Sequence, residues 1–326
     1  MKRVLSGIQP SGQLHLGNYA GAVRQFVELQ DDHEVFVFVA SYHALTTVRD
    51  ADELRANVRQ VVIDYLAFGL DPRRCHIYLQ QDVPGVCELA WLLGCVCPKS
   101  QMDKATTYKD KVAKGIPASV GLFTYPVLQA ADILGVDPDV VPVGEDQRQH
   151  VEITRDLAQR FNHAYGSDEE PVFRVPDVMV RTEAGVLPGV DGQKMSKSYG
   201  NTIDPFLPEK KLRKAVMKIV SDSTPMEAPK DAEADTTFQI FRAIAGADDE
   251  RTNDLAAKYA AGGFGYGHAK QALFELLLEH FGDARKRREA LMNDPGHVES
   301  VLRDGADAAN AVLGGVLERA RAAVGL

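Results

Sequence analysis

The chain has 326 residues, 45% hydrophobic and 25% charged, which suits about two soluble globular domains and excludes a mini-protein held together by staples. Its longest apolar runs, such as Val35 to Ala40, are far too short to span a bilayer, and Gln9-Pro10-Ser11 interrupts the start before a signal-like stretch accumulates, so a cytoplasmic protein with no membrane partner is expected. The net charge of −9, spread as −2, −4 and −3 over residues 1–100, 101–200 and 201–326, argues on its face against a polyanionic partner. Basic residues nevertheless cluster at Lys99, Lys104, Lys109, Lys111 and Lys114, at Lys210, Lys211, Arg213, Lys214 and Lys218, and at Arg285-Lys286-Arg287-Arg288, and an acidic protein can present such local patches.

In chain order, Lys2 to Ile8 reads as a first strand, followed by a Pro-Ser-Gly loop and a helix from Leu16 to Leu29. Glu34 to Ala40 is a second, nearly all-apolar strand. After the capping-box-like Asp50-Ala51-Asp52-Glu53, Leu54, Val58, Val61, Val62, Tyr65 and Leu66 recur at helical spacing until Gly69. Cys75 to Gln80 is a third strand. Cys87, Cys95 and Cys97 fall with Leu89, Trp91 and Leu92 on an apolar helical segment. The gaps of 12, 8 and 2 between the four cysteines do not match paired zinc spacing, so these read as buried thiols in a reducing compartment, with no metal site.

Val140 to Val143 is a further strand, and Gly144-Glu145-Asp146 opens a helix running to about Tyr165 with Val151, Ile153, Leu157 and Phe161 on its apolar side. Between Ser167 and Pro208 the periodicity fails, which predicts a long functional loop. Beyond it strand signals vanish: Glu209–Ser221, Thr236–Ala245, Ala269–Met292 and Ala306–Val324 read as helices. The expected fold is α/β, a Rossmann-like doubly wound parallel sheet over residues 1–192 with a smaller all-helical domain over residues 193–304, and a C-terminal helix over residues 305–326 packing back on the sheet.

Two segments carry chemistry. Gly7-Ile8-Gln9-Pro10-Ser11-Gly12-Gln13-Leu14-His15-Leu16-Gly17-Asn18 is strand, tight turn, then helix, the geometry that points backbone N–H groups and a helix dipole at a phosphate. It matches neither the P-loop nor the dinucleotide spacing. It offers His15 as a donor to a phosphoryl oxygen and Gly17 as a place where a flat purine approaches the backbone. Lys194-Met195-Ser196-Lys197-Ser198 closes the non-periodic loop with two ammonium groups three positions apart, suited to neutralising charge as a phosphoryl group is attacked and pyrophosphate leaves.

With His15 to Asn18 as a HIGH-type motif and Lys194 to Ser198 as an intact KMSKS motif, the chain resembles the class I aminoacyl-tRNA synthetases. Gly7 to Gly12, Tyr125-Pro126-Val127-Leu128-Gln129-Ala130-Ala131-Asp132 and Val143-Gly144-Glu145-Asp146-Gln147 are similar to those of the bacterial tryptophanyl subgroup, from Met1 to the C-terminal helix. The resemblance implies tryptophan activation by ATP, with Mg²⁺ carried by the nucleotide, then transfer to tRNA, by a homodimer. It implies an ATP site of Gln9, Pro10, Ser11, Gly17, Asn18, Gly144, Glu145, Asp146, the backbone near Val186, and Lys194 to Ser198, with His15, Lys111, Lys194 and Lys197 on the phosphates. Asp132 is implied as acceptor for the indole N–H, Tyr125 and Gln147 as holders of the α-amino and carboxylate groups, and His43, Val141, Val143, Gln129 and Leu5 as the ring's walls.

Gln129 stands where many relatives have Met, and Leu5 where some have Phe. No cysteine follows Cys97, so the four-cysteine iron–sulfur cluster of some relatives is not expected. The helical domain would read the anticodon through its basic clusters and aromatic side chains such as Phe238 or Phe241. A tyrosine-specific synthetase, and a nucleotidyltransferase or regulatory paralogue that does not charge tRNA, are the competing readings.

Overall fold

A computed structural model of the chain describes every residue except 105, 114, 145, 146, 168 and 181–185, and of Thr106, Thr107, Asp110, Lys111 and Val180 it describes the backbone alone. Five parallel strands, β1 (Lys2–Ile8), β2 (His33–Val39), β3 (Cys75–Leu79), β4 (Val140–Val143) and β5 (Asp177–Val180), form one sheet in the order β3-β2-β1-β4-β5. The chain winds outward from β1 in one direction and then returns to β1's other side with β4. That reversal opens a crevice beyond the carboxyl ends of β1 and β4, where ligands bind in open α/β sheets.

Alternation along β1 and β2 divides the core. Val4, Val35, Val37 and Val39 face one side, in a cluster continuous with Leu212, Phe238, Tyr259 and Leu273 of the helical part. Leu5, Phe36 and Phe38 face the other side, against Leu89, Leu134, Leu313 and Val316. The C-terminal helix Pro295–Val324, capped by Asp294, supplies Leu313 and Val316 and lies against β3. The helix Ala51–Phe68 is capped by Asp50, whose Oδ1 accepts from Glu53 N–H at 2.8 Å, and Ser119 caps Val120–Gly135 in the same way.

Several elements depart from the expectations. The segment expected as one long loop contains β5, a four-residue edge strand too short to show a period. The helix expected over Leu16 to Leu29 is Leu16–Asn18 and Arg24–Leu29 joined by a π-helical stretch, Tyr19–Val23. The single helix expected over Ala269–Met292 is two, Tyr266–His280 and Gly282–Asn293. It breaks at buried Phe281, which packs on Tyr19 and Phe68 of the sheet domain. Glu250–Ala261 is a further helix, with Leu255 and Tyr259 inward.

The cysteines also differ: Cys75 is buried, its thiol pushed up to about 12 by desolvation, whereas Cys87 and Cys95 are exposed. The helix Gly85–Val96 buries Val86, Leu89, Leu92 and Leu93, which leaves Cys87, Trp91 and Cys95 on its outer side. Among the described residues no helix is long and apolar enough to cross a membrane.

Candidate active site

A cavity of about 530 Å³ occupies the crevice between β1 and β4. Of the expected residues, Leu5, Gln9, Asn18, His43, Tyr125, Gln129, Val141, Val143, Gly144 and Gln147 line it. Ile133, Phe26, Gln25 and His150 line it too and escaped the sequence reading, because a buried helix face carries no chemical signature. His150 Nε2 is 2.7 Å from the Tyr125 hydroxyl and its Nδ1 is 3.0 Å from Gln147 Oε1, so one ring joins the two residues expected to hold the α-groups of an amino acid.

Asp132 is 2% exposed, which rules out a surface acid, but it is not among the cavity-lining residues. Its carboxylate accepts from Gln80 Nε2 at 2.8 Å to both oxygens and pairs with His43 Nε2 at 2.8 Å. Gln80 Oε1 is occupied by Tyr42 N–H at 2.9 Å, which forces its amino group toward Asp132. Burial pushes the Asp132 carboxyl above its ordinary range, and the hydrogen bonds from His43 and Gln80 oppose that.

The two motifs touch one another, and of their residues Asn18 alone lines the cavity; Pro10 and Ser11 do not line it either. Gly17 N–H donates to Met195 Sδ at 3.3 Å, and Lys197 Nζ donates to the Ser11 carbonyl at 3.1 Å. A Cβ on Gly17 would lie 3.0 Å from the His15 ring and 3.4 Å from Met195 Cβ, so the glycine lets the motifs touch as well as opening the backbone to a base. His15 is buried, its Nδ1 has no partner among the described residues, and burial followed by the Lys197 charge pulls its pKa down to about 4. At neutral pH it is therefore an uncharged donor. Burial also lowers Lys197 to about 8, while Asp64 and Asp204 pull it back up.

At the end of the non-periodic loop, the segment around Lys194–Ser198 is held by hydrogen bonds. Asn201, missed from sequence, accepts from Ser196 N–H at 2.8 Å and donates to Asp191 and to the Lys194 carbonyl. Lys194 and Ser198 are exposed, Ser196 is half-buried, and Pro10 is buried beneath the Ser11 turn. Val186 is 64% exposed and does not line the cavity. Glu145 and Asp146 lie outside the described residues, as does the side chain of Lys111, whose backbone is in the helix Thr106–Ala113.

The second domain's expected nucleic-acid contacts are partly overturned. Phe238 and Phe241 are 1% and 4% exposed and belong to the core, so neither stacks on a base. Arg285 donates to the Pro205 and Leu207 carbonyls, Arg287 to the Ala67 carbonyl and Arg288 to Asp64, while Lys286 pairs with Asp283; Lys286 and Arg287 are the exposed members of that run. Arg287 and Arg288 thus tie the helical part to the sheet domain, and Arg285 ties its helix to the segment before Pro208. Lys210, Lys211, Arg213, Lys214 and Lys218 are exposed.

A family model for class I tRNA synthetases (W and Y) matches residues 1–282. The tryptophan–tRNA ligase of Fusobacterium nucleatum is 48% identical over 100% of this chain and 98% of its own, and that of Rhodopirellula baltica 49% over 99% of each. Among solved structures, the tryptophanyl-tRNA synthetase of Campylobacter jejuni complexed with ADP and tryptophan superimposes with a TM-score of 0.91 at 44% identity, covering 99% of this chain and 100% of that one.

Proposed function

The chain belongs to the class I tRNA synthetases for tryptophan and tyrosine, and on that premise we infer that it is a bacterial-type tryptophan–tRNA ligase. It activates tryptophan with ATP and joins it to tRNA. The observation that carries tryptophan over tyrosine is near-half identity, over essentially the whole length, to ligases of that specificity. A paralogue without catalysis would have no need of His15 and Lys197 converging on one turn.

The reaction needs no enzyme nucleophile: the tryptophan carboxylate attacks the α-phosphorus and pyrophosphate leaves, then a ribose hydroxyl of the terminal adenosine attacks the carbonyl of the adenylate, loses its proton and takes the aminoacyl group as AMP leaves. Catalysis is placement and charge stabilisation. Gln9, Asn18 and Gly144 would cradle the nucleotide, with Pro10, Ser11 and Gly17 shaping the turn beneath the phosphates and Met195, Ser196 and Ser198 closing over them, and Glu145, Asp146 and Val186 belong to the same proposed site. Lys197 would meet developing charge from a half-buried position and Lys194 from an exposed one, with neutral His15 donating and Lys111 added on the resemblance. Mg²⁺ arrives on the nucleotide.

Asp132 serves the indole N–H under this reading. A carboxylate has about four acceptor sites, and Gln80 and His43 occupy three of them. The last site would accept the indole N–H once the ring enters between Leu5, His43, Gln129, Val141 and Val143. Tyr125 and Gln147 would hold the α-amino and carboxylate groups. The catalytic unit is placed at residues 1–192 with the helix 305–326 on it, and residues 193–304 form the tRNA-reading unit, working in the cytoplasm as a homodimer. The outer face of Gly85–Val96, with Trp91 74% exposed, is the surface offered to the second copy.

Pyrophosphate exchange with each amino acid in turn, followed by charging of tRNA, tests the reading. Exchange with tryptophan and transfer to its tRNA are expected; exchange with tyrosine instead, or exchange without transfer, refutes it. Trp91→Glu should lower the sedimenting mass of the wild-type dimer.

A further inference from the structure

The segment bearing His15 is tied to one buried carboxylate that belongs to neither motif, and Lys197 holds the same turn. Asp64, on the helix Ala51–Phe68, is 0% exposed. Its Oδ2 accepts from Leu14 N–H at 3.3 Å, and its Oδ1 accepts from Gln60 Nε2 at 2.7 Å and Arg288 Nε at 3.0 Å. Leu14 immediately precedes His15. The same turn is capped from its other end by Lys197, whose Nζ holds the Ser11 carbonyl and would lie 3.6 Å from a Cβ on Gly12. The turn of residues 11–14 is therefore clamped between an anion below and an ammonium above.

Arg288 comes from the helix Gly282–Asn293 of the helical part, and its guanidinium lies 4.9 Å from the centre of the Phe206 ring. A buried carboxylate without a cation is strongly destabilising while it stays charged, and it takes up a proton instead. Burial pushes Asp64 upward, and Arg288 is the largest influence opposing it. The Asp64 charge in turn attracts Lys197, with Asp204 adding to it.

We propose that Asp64 and Arg288 are a positioning pair for amino-acid activation: the guanidinium supplied by the helical part keeps Asp64 anionic, and that anion sets the turn ahead of His15 and the ammonium of Lys197. Seating of the helical part is then felt directly at the phosphate-handling groups. The proposal rests on the ligase reading only for the choice of kinetic assay.

The test compares wild type, Asp64→Asn, Arg288→Met, Arg288→Lys and the double variant Asp64→Asn/Arg288→Met, in melting temperature and in tryptophan-dependent pyrophosphate exchange. Asparagine retains an acceptor for Leu14 N–H, and Gln60 can turn its amide over to accept from the new amino group, so the double variant removes both buried charges together with the Arg288 contact on Phe206. Arg288→Met alone is expected to lower stability and kcat, and Arg288→Lys to restore part of both. The double variant is expected to regain the melting temperature while kcat stays at least about tenfold below wild type and the tryptophan KM stays within about twofold. A double variant that regains kcat together with stability overturns the proposal, since the pair would then be only a strut.

A second readout does not depend on which amino acid is activated. The ¹³C-dimethylated Lys197 signal, assigned by its loss in Lys197→Arg, should titrate at lower pH in the double variant, and an unchanged titration also overturns the proposal. Absence of tryptophan-dependent exchange in the wild type would instead count against the ligase reading and leave the lysine titration to decide the pair.

Discussion

Gly17 N–H donates to the Met195 sulfur at 3.3 Å, joining two motifs 178 positions apart at one backbone-to-thioether contact. The contact needs a residue without a side chain, because a Cβ there would press on the His15 ring at 3.0 Å. Gly17→Ala should therefore displace the imidazole by a few tenths of an ångström while leaving the core untouched. Misplacement of this kind costs roughly 10- to 100-fold in rate. The expected outcome is such a loss in kcat/KM for ATP with an unchanged melting temperature and unchanged tryptophan affinity, measured by exchange kinetics and isothermal titration.

Lys197 should set the alkaline limit of activity. Its ammonium is lowered to about 8 by burial, so the free enzyme loses its charge as pH rises through that value. The pH profile of kcat/KM for ATP reports the free enzyme and should fall on that limb; Lys197→Arg, which stays charged, should move the fall to higher pH. The stability effect has the opposite sign. Between about 8 and the ordinary 10.5 the unfolded chain binds more protons than the folded one, so this group's contribution to stability rises with pH across that window. Activity and stability should diverge there.

The same logic applies to His15 on the acid side. Its pKa of about 4, against 6.5 in the unfolded chain, means that the unfolded state binds more protons between those values. Stability should fall as pH drops from about 6.5 to 4, and His15→Asn should flatten that part of the curve. Thermal melts of both proteins across the range decide it; identical slopes would remove His15 from the acid sensitivity.

Much of this site was legible because its parts are backbone devices with fixed spacing. A strand, a Pro-Ser-Gly turn and His15-Leu16-Gly17-Asn18 must be local to work, and so must Lys194 to Ser198. What stayed hidden is non-local. Asp64 reads as one more polar residue on an amphipathic helix, and only the folded chain brings Leu14, Gln60 and Arg288 to it. The run Arg285 to Arg288 looks like a phosphate patch, yet three of its side chains end on carbonyls or a carboxylate of the neighbouring packing surface. Phe238 and Phe241 illustrate the same ambiguity from the apolar side, since a base-stacking aromatic and a core aromatic have identical periodicity. β5 was missed because four residues at a sheet edge show no period.

His150 should act on tryptophan binding through its two neighbours. Gln147 Oε1 only accepts, so Nδ1 carries the proton and Nε2 accepts from the Tyr125 hydroxyl. The phenol oxygen is then directed to accept, which suits an α-ammonium. His150→Phe keeps an aromatic ring, slightly larger than imidazole, and removes both bonds, at about 1–2 kcal/mol, or roughly tenfold in the KM for tryptophan. Indole lacks the α-groups and should inhibit variant and wild type equally; equal weakening of both would mean that the pocket itself had collapsed.

The exposed lysines of the helical part are the remaining candidates for tRNA. Replacing Lys210, Lys211 and Lys214 together by Glu should raise the KM for tRNA by about tenfold or more and flatten its salt dependence, while tryptophan-dependent exchange stays at the wild-type rate. Filter binding at two salt concentrations alongside exchange separates the two steps. Loss of exchange in this variant would show that the patch serves the fold instead.

Two glycines on one helix should respond to alanine with opposite signs. Gly305 and Gly315 both lie within Pro295–Val324, where alanine is worth about 0.5–1 kcal/mol over glycine by helix propensity alone. A Cβ on Gly305 would sit 2.0 Å from the Ile77 carbonyl oxygen, backbone that a strand cannot withdraw, whereas a Cβ on Gly315 meets nothing within 4 Å. Gly315→Ala should be neutral or slightly stabilising. Gly305→Ala should cost about 2–4 kcal/mol, because the helix must lift off β3. Ile77 leads within three residues to Gln80, whose amide holds both Asp132 oxygens, so displacing β3 should also raise the tryptophan KM. Melting temperatures of the two variants and their exchange kinetics check both halves: equal stability would mean that the helix does not bear on β3 at Gly305, and lowered stability with an unchanged KM would mean that the Gln80–Asp132 contact is insulated from that strand.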